Sequence, residues 1–197
     1  MQLAFDIFQG VGIAAAIGIR PFLPSVAAGA LAAAGVELHF DHTSYSFLQS
    51  LPFLLVMVVG AALLVALERD AWAARLRSGP LAAALGAISL ALGALFFAGS
   101  LVRDHHAAWP GFLAGVACAA LGLAATGPFL ARLRARLDAG AAAVGVPLVG
   151  DGVALLTCVL SIVAPPLGVV ALVWLAWLFY RGRQGGERKY AGLRVLR

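Results

Sequence analysis

The chain has 197 residues, 62% of them hydrophobic and 12% charged, with a mean hydropathy of +0.97. Soluble domains average about 45–50% apolar and about 25% charged residues, so a water-facing globular surface is excluded. The formal charge of +5 would suit nucleic acid, but its placement along the chain fits a membrane topology instead, and no nucleic-acid partner is expected.

The apolar runs are continuous rather than alternating. A helix satisfies its own backbone in hydrocarbon, and about 20 residues cross it, so helices are expected and a β-barrel is not. The reading is an all-α, polytopic helical membrane protein with three to four full spans plus two Gly/Pro-broken helical hairpins. Residues 1–180 form a single transmembrane domain with the lipid bilayer as its first partner. Residues 181–197 form a basic cytoplasmic tail, expected to be mobile.

In chain order, Met1 to Asp6 carry no basic residue, so no cleaved signal peptide is expected, and Asp6 reads as interfacial. The first apolar stretch, residues 3–36, is too long for one span. It is interrupted at Gly18-Ile19-Arg20-Pro21-Phe22-Leu23-Pro24. Proline cannot donate to a helix and pushes the residue before it out of helical geometry, so two short helices should meet at Arg20. A polar loop at 37–46 leads to a span at 47–67, which ends on Glu68-Arg69-Asp70. Further runs cover 80–101 and about 109–123.

The segment 129–138 spaces Arg132, Arg134 and Arg136 two apart, which spreads them around a helix axis, so it reads as an interfacial connector. Asp151, between Gly150 and Gly152, reads first as the N-cap of a starting helix. The last stretch, 149–180, is again too long for one span and is broken at Ala164-Pro165-Pro166-Leu167-Gly168. Trp174, Trp177 and Tyr180 mark its exit as an aromatic belt.

Lysine and arginine mark the cytoplasmic side of short loops. Of the 14 such residues, those at 69–77, 132–136 and 181–197 share one side if both broken stretches are hairpins. The loops at 37–46 and 103–106 then face outward with Arg103 alone. The N-terminus is outside, the C-terminus is cytoplasmic, and the basic face suits anionic lipid. The outer loops carry His39, Asp41, His42, Asp104, His105 and His106 without a diagnostic metal spacing, so no metal or cofactor is expected. Cys118 and Cys158 lie in apolar runs and read as packing residues.

Arg20 is the most informative residue. A guanidinium in a membrane-embedded break faces a cavity or pairs with an acid, here Glu68, while helix ends at the break suit anions. The candidate substrate-binding set is Arg20 with Gly18, Pro21, Glu68, Asp151, Pro165 and Pro166. The two prolines would free carbonyls to line the same cavity. Thr157 and Ser161, one turn apart, either face that place or bond their own helix. No nucleophile triad, paired-carboxylate motif, phosphate loop or redox cysteine pair is present, and no enzymatic activity is expected.

The motif from Gly18 to Pro24, with Leu67-Glu68-Arg69-Asp70 after the next span and Pro165-Pro166 in the final segment, resembles a family of small bacterial multi-pass membrane proteins of unknown function (DUF4126-like). The resemblance covers most of the chain. It implies a bacterial inner-membrane location and supplies no activity. The leading functional expectation is a small transporter or carrier for an anionic solute or lipid headgroup, its site between the two broken hairpins. The alternative is a non-catalytic membrane scaffold or accessory subunit that docks a partner through its basic tail. Homo-oligomerisation suits the carrier reading, because so small a bundle can hardly enclose a pathway alone.

Overall fold

A computed structural model describes residues 2–36, 40, 43–69, 79–103 and 106–191. Among them it contains seven α-helices and a short 3₁₀ turn, with no strand. The helices are α1 (Gln2–Ile19), α2 (Phe22–Ala33), α3 (Leu51–Arg69), α4 (Pro80–Val102), α5 (Ala108–Arg134), α6 (Ala139–Val163) and α7 (Pro166–Ala191); the 3₁₀ turn, Ser46–Gln49, leads into α3. Four helices, α3 to α6, are long and apolar enough to cross a membrane, and α1 and α2 are shorter apolar helices.

Both breaks fall where proline requires them. The hydrogen bonding of α1 continues to Arg20, whose N–H donates to the Ala16 carbonyl at 3.1 Å. Pro21 then starts a new helix, and its carbonyl accepts the Ser25 hydroxyl at 2.6 Å. At the second break Ala164 leaves helical geometry (φ −136°, ψ 82°) and α7 begins on Pro166.

α1 is the hub. It packs against α4, α5, α6 and α7, and every residue from Gln9 to Arg20 is buried. Small residues make this approach achievable. A Cβ on Gly18 would lie 2.1 Å from the Ala119 carbonyl oxygen, so α1 and α5 touch backbone to backbone there. Around this contact, Ile13, Ile17, Phe96 and Ile162 form the largest apolar cluster, which extends to Ala28 and Ala32 of α2.

α6 runs antiparallel to α1: Gly150 lies beside Arg20, and the Ile162 carbonyl lies beside Gln9. α2 returns along α6, with the Cys158 thiol donating to the Pro24 carbonyl at 3.4 Å. The first stretch is therefore a hairpin whose tip is Arg20-Pro21, and α6 with α7 forms the second. Arg132 lies beside Gly182, and Arg134 lines one cavity with Arg20 and Glu68, so α5 and α7 end on the side where α3 ends. Among the described residues, Arg20, Arg132, Arg134, Arg181 and Arg183 thus gather at one end of the bundle.

Three expectations are corrected. Residues 129–138 are not an interfacial connector: α5 continues through Pro128 to Arg134, its last turn closed by the Ala135 N–H on the Ala131 carbonyl at 3.1 Å. α6 correspondingly starts at Ala139, so Asp151 is well inside a helix and caps nothing; Asp138 holds the N-cap position. Asp6 is fully buried rather than interfacial. Past the expected end of the last stretch at residue 180, α7 continues as helix to Ala191. His39, Asp41, His42, Asp104 and His105 lie outside the described residues.

Candidate functional site

Arg20 ends α1 at the tip of the first hairpin and is 8% exposed. Its guanidinium grips Glu68, on the last turn of α3, through both terminal nitrogens: Nη1 to Oε1 at 2.5 Å and Nη2 to Oε2 at 3.2 Å. This is the two-pronged arrangement that suits a carboxylate or phosphate. On its other edge, Nε lies 3.2 Å from Asp151 Oδ1 of α6. That N–H is not aimed along a hydrogen bond, so the contact is Coulombic. Gly150 makes room for it, since a Cβ there would stand 3.1 Å from Arg20 Nε. One cation therefore joins three helices and faces two carboxylates, which leaves one negative charge in excess if both are ionised.

A cavity of about 440 Å³ opens beside this cluster, between the end of α1 and helices α3, α4 and α5. That is within the usual size for a small-molecule site, about 300–1,000 Å³. Arg20, Pro21, Glu68 and Arg134 contribute to its polar part, and Leu64, Leu85, Leu123 and Leu130 to its apolar part. The hydroxyls of Ser89 and Thr126 also line it, and each donates to its own helix, to the Leu85 and Gly122 carbonyls. Asp151 lies outside this cavity and lines a much smaller void with Phe22, Leu23 and Val65.

Of the seven candidate residues, Arg20, Pro21, Glu68 and Asp151 come together, and Gly18 supports them through its contact with Ala119. Pro165 and Pro166 do not join them. Gly168, just after the second break, packs against the Phe8 carbonyl and Gly12. The twelve steps of α1 from Phe8 to Arg20 hold the two breaks about 18 Å apart. The carbonyl that Pro166 leaves without its helical donor is Ile162, and Gln9 Nε2 donates to it at 3.4 Å. The second break thus packs against the start of α1, at the opposite end of that helix from Arg20. Thr157 and Ser161 bond their own helix, at 2.8 and 2.6 Å.

A second polar cluster sits at the opposite end of α1 and was not anticipated. Asp6 pairs with Arg103 at the end of α4, and Arg103 Nη1 also approaches Gln9 Oε1 at 3.5 Å. The available signal was the i, i+3 placement of Asp6 and Gln9 on one helix face, together with the single arginine of the outer loops.

No family model, curated protein or solved structure matches the chain.

Proposed function

We propose that the protein is a small membrane carrier that binds an anionic group at Arg20, in the cavity between α1, α3, α4 and α5. One observation carries this reading: a buried guanidinium at a helix break holds a carboxylate with two prongs at the wall of a 440 Å³ cavity. Glu68 occupies the position that a ligand carboxylate or phosphate would take. Exchanging one carboxylate for another on the same fork preserves the pairing, whereas stripping Arg20 of any anion would leave a buried charge uncompensated, at a cost of about 3–5 kcal/mol. In such an exchange the displaced Glu68 carboxylate, 18% exposed at the cavity wall, takes up a proton as it leaves the fork, so that no buried charge is left unpaired.

The basic end, where α3, α5 and α7 finish, faces the cytoplasm on this reading, by the preference of arginine for that side. The membrane would be a bacterial inner membrane, which rests on the resemblance of the Gly18–Pro24 motif. The site belongs to the first hairpin and its neighbours, not to a meeting of two hairpins.

The test is thermal stability of the protein in nanodiscs against a panel of carboxylates and phosphates, with Arg20→Gln alongside. A ligand of the folded state raises its stability by mass action, by about 2.7 kcal/mol at a hundred times Kd. An anion that stabilises wild type and leaves Arg20→Gln unmoved is the expected result. Equal shifts in both proteins, or none in either, would remove Arg20 from any binding role.

A further inference from the structure

We infer that the ligand is an amphiphile with one acyl chain and a carboxylate or phosphate head, taken sideways from the leaflet at the basic end. This rests on the binding role proposed for Arg20 and names the substrate class of that site.

Three observations lead to it. The cavity is drawn out along the bundle: its lining on α5 runs from Leu123 to Arg134, about 16 Å of helix. Along that length its character changes from the leucines Leu64, Leu85 and Leu123 to the charges of Arg20, Glu68 and Arg134. The charged portion is built around the Arg20 fork, with Asp151 standing behind Arg20 in a separate void. A small soluble anion would have no use for the apolar length, and a neutral lipid tail no use for the arginines.

The third observation is the side on which the cavity opens. α3 packs on α2 and α6 rather than on α4 or α5, and it is the least enclosed of the candidate spans, with 11% of its window buried. The cavity is the gap left between α3 and the α4–α5 pair. Leu123, Gly127 and Ala131 are exposed along it on helices apolar enough to lie in hydrocarbon. Its opening is therefore toward acyl chains. An amphiphile entering there keeps its chain in apolar surroundings throughout and brings its head to the arginines without crossing hydrocarbon.

Gly127 supplies the variant. A Cβ at this position meets nothing within 4 Å, so Gly127→Leu projects into the open space without a clash and improves helix propensity. The measurement is the Kd of dodecyl phosphate, inorganic phosphate and dodecanol for the full-length protein in zwitterionic nanodiscs. Wild type should bind dodecyl phosphate at least about tenfold more tightly than either of the others, a difference of about 1.4 kcal/mol. Gly127→Leu, or Ala131→Leu at another exposed position along the gap, should erase the advantage over inorganic phosphate while Arg20 still binds phosphate. Equal binding of dodecyl phosphate and inorganic phosphate to wild type, lost in Arg20→Gln, would overturn the amphiphile and leave the anion site standing. Equal binding of dodecanol and dodecyl phosphate, unchanged in Arg20→Gln, would overturn both, as would no binding of any probe.

Discussion

The two ends of α1 use the same chemistry to different effect. Near its start, Asp6 pairs with Arg103 inside the bundle: Asp6 is fully buried, and Gln9 on the same face bonds the carbonyl that Pro166 leaves open. At its finish, Arg20 holds Glu68 with a second carboxylate in reserve and a cavity at its side. An ion pair whose acid is fully buried, beside a glutamine that ties down a second helix end, is a lock between helices. An ion pair that borders empty space and carries a surplus of one sign can exchange partners. Burial alone would rank Asp6 as the more notable residue; the cavity and the charge count reverse that ranking.

Substitutions should separate the two ends. The largest effect on stability is expected at the sealed end, where Asp6→Asn leaves the Arg103 guanidinium without its buried counter-charge and should lower stability by about 3 kcal/mol, read as a fall in Tm with anion binding unchanged. Gln9→Leu at the same end should cost about 1 kcal/mol, because the Ile162 carbonyl loses its donor; the long 3.4 Å bond keeps the loss at the low end, and hydrogen exchange at the α6–α7 turn would register it. The smallest change in stability is expected at the open end from Asp151→Asn. Arg20 keeps both bonds to Glu68, and the Asp151 contact is not aligned as a hydrogen bond. That variant should instead tighten anion binding, since it removes the negative surplus; weaker binding would show that Asp151 positions Arg20 rather than opposing the ligand.

The two breaks were legible because proline acts locally: Pro21, Pro165 and Pro166 end helices wherever the rest of the chain goes. The gathering of arginines at one end was legible because charge sidedness is a property of each loop rather than of packing. The Arg20–Glu68 pair needed only two hairpin-related segments and a simple topology. Asp151 was misread because its glycine neighbours imitate a cap, whereas its partner is set by α6 running antiparallel to α1, a tertiary fact with no local signature. The same holds for Asp6 and Arg103, which α4 brings together across the bundle. The extension of α5 was missed for another reason. Arginines spread around an axis rule out an amphipathic surface helix, but a helix needs no amphipathic face to continue, and α5 runs on through Pro128 to Arg134. The second break was rightly found but does not meet Arg20, because Gly168 packs on Phe8 and Gly12 at the other end of α1, a tertiary placement with no local signature.

One experiment sets the two ends against each other directly: the anion-induced rise in Tm, measured with dodecyl phosphate in nanodiscs, for Asp6→Asn beside Arg20→Gln. A lock at one end and a binding site at the other require Asp6→Asn to start from a lower Tm and keep the full rise, and Arg20→Gln to lose it. If Arg20→Gln keeps the rise, or Asp6→Asn loses it while still folded, the division of labour along α1 is wrong.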